Sequence, residues 1–282
     1  MTRRRRLHVA IAAATLAVLV WRLGTGPFLD GLRTVDAWSL AAASGLAAIT
    51  TVCCAWRWRV VARGLGIDLP MGTAVAAYYR SLFLNVTLPG GVVGDVHRGV
   101  SHGRDTSDVG RGLRAVAWER SAGQVVQVVI TVAVLLLLPS PLGIAVPLVA
   151  LAVIAVAAGV VRATRARPPA VAAWPAIVLT SAVVVAGHTA TFLIAARSAG
   201  ATAPLSQMLP LALLVMQGAA LPNIGGWGPR EGVAAWAFAA AGLGASLGVA
   251  TAVAYGVMVL VASLPGAVVL AAGGHRTRAA YA

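Results

Sequence analysis

An apolar segment that stops and restarts constrains this chain more than any other feature. Within residues 81–100, SLFLNVTLPGGVVGDVHRGV, hydrophobic sequence ends at Leu88-Pro89-Gly90-Gly91 and resumes with charged residues. Inside hydrocarbon such a break leaves backbone N–H and C=O groups without water, so it is tolerated only where protein or an aqueous cavity covers it. A second break, LPNIGGWGPRE at 221–231, repeats the order Leu-Pro, a Gly pair, a further Gly and an Arg. Paired interrupted segments in the two halves of a membrane chain point to a transporter-type binding site.

Composition places both breaks in a membrane. The 282 residues are 59% hydrophobic and 11% charged, with a mean hydropathy of +0.86, beyond the range of a soluble domain. The basic side of the net charge of +14 is all arginine, most of it in short clusters between apolar runs. That distribution orients a membrane chain rather than binding nucleic acid. Vicinal Cys53 and Cys54 lie in an apolar run and read as helix-packing thiols, not as a disulfide framework. Arg3 to Arg6 precede an apolar stretch over 7–23, but no small-residue cleavage site follows before Trp21-Arg22, so a retained first span is expected.

Arginine placement then orders the crossings. The clusters at Arg3 to Arg6, at Arg57, Arg59 and Arg63, at Arg104, Arg111 and Arg114, at Arg162, Arg165 and Arg167, and at Arg276 and Arg278 are assigned to the cytoplasm. Full crossings are expected over 7–23, 37–56, 113–138, 142–161, 171–196 and 247–271. Pro139-Ser140-Pro141 would turn outside and Pro168-Pro169 would hinge the halves. The segment 73–88 is about 16 residues, short of the roughly 20 a helix needs to cross, and both flanks carry Arg. It reads as one arm of a re-entrant hairpin opening inward. Its counterpart, 205–221 and 229–241, has almost no flanking charge and reads as a hairpin opening outward. The expected fold is an all-α polytopic membrane protein with about six full transmembrane helices and two re-entrant broken hairpins in inverted-topology repeats. It would form one integral domain over 1–282: a first span and outer loop (1–35), a first repeat half (36–167) and a second (168–282). Both termini would be cytoplasmic. A bundle of eight full crossings is the plainer alternative and has the same parity.

Few residues can carry chemistry. The chain has eight acidic residues, and its two glutamates each adjoin an arginine, as Glu119-Arg120 and Arg230-Glu231. Charged groups in spans face the bundle interior, paired or lining water. Neighbours in a helix do not face each other, so each pair is expected to find partners across the bundle. Gly123, Gln124 and Gln127 follow Glu119 as one polar stripe, which lines either a cavity or a helix seam. At the second break Gly228, Pro229 and Glu231 spell a helix start whose free N–H groups, with Arg230, would suit an anionic group such as phosphate. The first break offers Gly90, Gly91 and Gly94 for close approach, Asp95 as a helix cap and Arg98 one turn on. An anion cradle built from both breaks is the resulting expectation, and tight packing of glycine-rich hairpins is its alternative. Arg230 is expected to face a mid-membrane cavity with Asp95, Glu119 or Glu231 as counter-charge. His97 and His188 stand apart from any second ligand at metal spacing, and no nucleotide-binding loop or hydrolase elbow occurs, so neither metal nor cofactor is expected.

Three stretches, YYRSLFLNVTLPGGVVGDVHR (78–98), AWERSAGQ (117–124) and LPNIGGWGPREG (221–232), resemble, in order and separation, the flippase-like transmembrane region of the lysylphosphatidylglycerol synthase family, including stand-alone members of the YbhN type. The resemblance covers the chain from the second span onward. It implies translocation of a lipid between leaflets of the cytoplasmic membrane: an anionic, aminoacylated or polyprenyl-phosphate-linked one. It also implies that Asn85, Gly90, Gly91, Asp95, Arg98, Glu119, Arg120, Gln124, Gly225, Gly226, Arg230 and Glu231 contact that lipid. The family has Asn-Gln where this chain has Asn85-Val86, and Gly-Gly-Asp where it has Val93-Gly94-Asp95. Eleven residues follow Ala271, so no aminoacyl-transfer domain and no synthase activity are expected. Alternatives kept open are a transferase acting on a lipid phosphate, with Asp95 or Glu119 as base, and a non-transporting scaffold for a cell-envelope enzyme. A homo-oligomer is compatible with each.

Overall fold

The computed structural model describes residues 3–138, 173–221 and 223–279. The expected outer turn at 139–141, the span at 142–161, the Arg162 to Arg167 cluster and the Pro168-Pro169 hinge lie outside these residues. The elements are α1 (Arg3–Leu23), α2 (Gly26–Arg33), α3 (Ala37–Gly64), α4 (Met71–Thr87), α5 (Val93–Asp105), α6 (Val109–Leu137), α7 (Trp174–Ser198), α8 (Leu205–Ala219), α9 (Pro229–Ala240), α10 (Ala245–Ser263) and α11 (Pro265–Ala279). Among the described residues four stretches are long and apolar enough to cross a membrane: α3, α6, α7 and the nearly continuous α10–α11 rod over Ala245–Ala272.

Local chemistry sets the ends of these helices. Asp36 caps α3 by accepting the Ser39 amide at 2.7 Å, and the Ser39 hydroxyl accepts the Asp36 amide at 3.1 Å. The Ser39 amide, with its hydroxyl, holds the Asp36 carboxyl below the usual carboxylate range. Asp108 caps α6 in the same way through the Arg111 amide at 2.8 Å. At the far end, Pro265 follows the αR residue Leu264 and interrupts the α10–α11 rod by removing a backbone donor. The loop expected over 24–36 contains the short helix α2, which packs on α10. Helix α3 runs eight residues past the expected boundary at Trp56, because the arginine-bearing turns beyond it pack on protein.

Both breaks form helical hairpins. At 1.5 Å per residue the 17- and 13-residue arms α4 and α5, and the 15- and 12-residue arms α8 and α9, reach only about 18–26 Å, less than a hydrocarbon core of about 30 Å. The tips meet each other. Pro89 and Ile224 form an antiparallel bridge, the Gly90 amide donates to the Asn223 carbonyl at 2.9 Å, and Gly91, at φ +65°, leaves no room for a side chain beside Asn223. The freed backbone groups of one break are thus partly answered by the other.

The packing order repeats. Helix α3 packs on α4 and α6 as α7 packs on α8 and α10. The contacts α4–α5 and α5–α6 are matched by α8–α9 and α9–α10, and α6 lies on α7 and α8 as α10 lies on α3 and α4. The exchange pair α3 and α7 runs antiparallel: Arg57 bonds Ser181, while Gly187 lies against Thr50 and Leu46. Exchange of these two helices therefore reverses chain direction.

Gly94 holds the first hairpin shut, since a methyl there would overlap the Ser81 carbonyl on α4. Gly94→Ala must push α5 off α4 and is expected to cost about 3 kcal/mol, the upper range of overpacking. Thermal unfolding of the purified variant in detergent checks this, and a wild-type midpoint would refute the close approach.

Candidate functional site

The first hairpin joins α3 and α6 in a web of five charges, four of them buried. On α6, Glu119 is 0% exposed. Its Oε1 accepts from Arg57 on α3 through Nε at 3.0 Å and through Nη2, and from the Tyr78 hydroxyl at 3.2 Å; its Oε2 accepts from Arg98 Nη2 at 3.1 Å. Asp95 on α5 accepts the same Arg98 Nη2 at 3.1 Å and Ser81 at 3.1 Å on Oδ1. Its Oδ2 takes Asn85 at 3.0 Å and Arg120 at 2.6 Å. Arg57 also donates to Ser181 on α7 at 2.9 Å. Arg98 lies over two rings, its guanidinium carbon 4.4 Å from the Trp58 centroid and 4.1 Å from that of Tyr78.

Charge in this web does not balance. Three guanidiniums face two carboxylates, a surplus of one positive charge. Arg98 satisfies both carboxylates through Nη2 alone, and its Nε and Nη1 are buried without a hydrogen-bond partner. A buried donor on a charged group without a partner is costly, so the arrangement has capacity for a further anion. Arg120 is the one member with an open side, its side chain 46% exposed.

The second hairpin is different. Glu231 Oε2 accepts the Gly228 amide at 2.6 Å, and its Oε1 takes Arg230 Nε at 3.0 Å together with Nη2. Arg230 lies over Trp227 and Tyr255, 5.2 Å from the latter centroid. The helix start that the sequence offers to a phosphate is here capped by Glu231, which also neutralises Arg230. Of the three expected counter-charges, Glu231 alone is used, and among the described residues no ion pair joins this cluster to Asp95 or Glu119. Adjacent residues pair because Arg230 and Glu231 occupy the first turn, where the Glu side chain curls back toward the cap. Glu119 and Arg120, deep inside α6, do partner across the bundle.

Other candidates fall as follows. Asp95 sits in the first turn of α5 and is not its cap; the Gly94 amide is taken instead by the Asn85 side chain at 2.8 Å. Gly90 and Gly91 meet Asn223 at the tip, Gly225 packs beside the Val86 carbonyl, and the Gly226 amide donates to the Asn223 side chain at 2.8 Å. Gln124 donates to Gln217 on α8 at 3.0 Å, and Gln217 donates to Thr131 at 2.7 Å, so this part of the stripe is a helix seam. Gly123 makes room for the Arg57 guanidinium. Sequence reasoning missed Arg57, treated as a topological marker, and Trp58, Tyr78, Ser81 and Ser181. The spacing Tyr78, Ser81, Asn85 was the available signal, a three-then-four polar face on an apolar arm. Among the described residues no group of His, Cys, Asp or Glu could hold a metal ion.

Comparison with curated proteins returns no match. The family model described as "Lysylphosphatidylglycerol synthase TM region" matches residues 7–266, through every helix that builds the site. With its multi-pass helical fold and paired broken hairpins, the chain therefore belongs to the lysylphosphatidylglycerol synthase transmembrane-region family.

Proposed function

We propose that this protein moves an anionic lipid between the leaflets of the cytoplasmic membrane without altering it chemically, with Arg98 receiving the lipid phosphate. The observation that carries the proposal is the surplus guanidinium charge beside Asp95 and Glu119, with two Arg98 nitrogens unpaired. A phosphate with one negative charge balances the web and supplies acceptors for those nitrogens. Arg120, half exposed, is the first contact, and Glu119 and Asp95, the latter fixed by Asn85, hold the arginines in place. In this scheme both termini are cytoplasmic, and the first hairpin opens inward and the second outward. The tip contact between Gly90, Gly91, Asn223, Gly225 and Gly226 is the barrier between the two sides, and the neutral Arg230–Glu231 pair with the Gln124 seam holds the far half closed. Asp95 and Glu119 each contact two arginines, which suits charge compensation better than proton abstraction by a transferase base.

The test is a leaflet assay with purified protein in vesicles carrying a trace of labelled anionic phospholipid. Inner-leaflet label is expected to reach an impermeant quencher at least about tenfold faster than in protein-free vesicles, with its chemistry unchanged. Equal rates with and without protein, or a new lipid product, would overturn the proposal.

A further inference from the structure

One titratable group inside the bundle takes no part in the scheme above. His188 lies near the middle of α7, a helix long and apolar enough to cross a membrane. An ionisable side chain at such depth is costly and marks a proton or ion path by default. Its Nδ1 and the Tyr255 hydroxyl on α10 share a hydrogen bond of 3.0 Å, the ring's one such bond among the described residues. The ring also lines a cavity between α3, α4, α7 and α10. Its volume is about 50 Å³, room for a few water-sized groups when one water needs about 10–15 Å³. Tyr78 and Thr51 share the lining, and the buried Thr51 hydroxyl has no partner.

Two features suit this imidazole to carrying a proton. Tyr255 serves both ring states, since a hydroxyl donates to a neutral Nδ1 and accepts from a protonated one. Nε2 has no hydrogen bond, so a proton can join or leave it through the cavity. The surrounding charges then set when it does. Cys54 of α3 and Tyr78 of α4 line the same cavity; Arg57 Nη2 meets Cys54 Sγ at 3.7 Å, and the Tyr78 hydroxyl donates to Glu119 at 3.2 Å. From α6 the charge of Arg120 reaches the ring, and beyond Tyr255 on α10 lies the neutral Arg230–Glu231 pair. Helix α8 brings no titratable side chain. An imidazolium here therefore adds a positive charge beside a web that already has a surplus of one. A phosphate in the web removes that surplus and with it the repulsion. By linkage, a proton on His188 strengthens phosphate binding by the same factor. We infer that this protein carries one proton with each anionic lipid, on His188. The proton comes from water on the side where the lipid enters, rests on Nε2, and returns to water on the other side when the phosphate leaves the web. The pair that moves, one negative lipid and one proton, is electrically neutral. The inference rests on the lipid-moving reading and names its driving force.

The full chain in vesicles is given labelled phosphatidylglycerol, whose phosphodiester does not titrate over the range used, about pH 4 to 7, which covers histidine in water and in apolar surroundings. Label should leave the inner leaflet about tenfold faster with the acid side inside than with the same gradient reversed, a coupling of ordinary size. His188→Asn keeps a polar atom for Tyr255 and cannot titrate, and should bring that ratio to one. Equal rates under the two gradients in protein that moves lipid, or an undiminished ratio in a folded His188→Asn protein, overturn the inference. Calorimetry decides it without transport. Binding of short-chain phosphatidylglycerol to the detergent-purified protein, measured in buffers of different ionisation enthalpy, should take up a proton as the pH falls through this range. Binding without proton uptake, or with equal uptake in His188→Asn, refutes the inference. Uptake that is lost in His188→Asn, in protein that moves no lipid, supports the coupled site and counts against the lipid-moving reading alone, so the two failures are distinct.

Discussion

Glu119→Gln is expected to destabilise this protein by about 3–5 kcal/mol, the range for removing one partner of a buried ion pair. The glutamate is completely buried and is shared by Arg57 and Arg98, which are themselves buried. Glutamine keeps the volume and one acceptor oxygen, so packing loss contributes little. What changes is charge: a surplus of one guanidinium becomes a surplus of two, with Asp95 as the remaining carboxylate of the web. Thermal unfolding of the purified protein in detergent reads the effect. The double variant Glu119→Gln, Arg57→Gln restores the original surplus and should recover part of the loss, a non-additivity expected of residues in one network. A single variant that melts with the wild type would mean that water, and not the web, compensates these arginines.

How much of this was legible beforehand can be argued from a few residues. The break at Leu88-Pro89-Gly90-Gly91 was readable because proline and glycine act locally: α4 ends one residue before the expected Leu88 and the arm after the second break starts at Pro229 as expected, whereas α5 is capped at Val92 and not at Asp95. Arg57 was not readable. Counting arginines near apolar boundaries treats each as a surface marker, yet Arg57 lies seven residues inside the end of α3 and turns toward Glu119, sixty-two positions away. Its burial depends on Gly123 on another helix, whose missing side chain leaves space for the guanidinium. The tip contact is equally nonlocal: the sequence shows two glycine pairs, while the bridge between Pro89 and Ile224 follows only once the fold brings them together. Arg230 and Glu231 differ for the opposite reason. Glu231 is one of the counter-charges expected for Arg230, but the pair forms between neighbours and not across the bundle, because in a first turn capping geometry lets neighbours meet.

Arg98→Lys is expected to slow lipid movement about 100-fold while leaving the fold intact. In the wild type one nitrogen, Nη2, serves both Asp95 and Glu119 at 3.1 Å, and the planar group stays over the Trp58 and Tyr78 rings with Nε and Nη1 unpaired. Lysine keeps the positive charge between the two carboxylates, so the web keeps its surplus of one and the melting temperature should shift by only a few degrees. Its single nitrogen is then consumed by those carboxylates, and a tetrahedral ammonium on a flexible stem neither lies over both rings nor presents a second donor edge. Two charge-assisted hydrogen bonds to the phosphate are lost, each worth about 1.5–3 kcal/mol, which gives the roughly 100-fold effect at the lower bound. The leaflet assay measures it, with circular dichroism and melting of the same preparation as the control for folding. If a well-folded Arg98→Lys protein moves lipid at half the wild-type rate or faster, the phosphate does not bind Arg98. The surplus charge would then act through Arg120 alone.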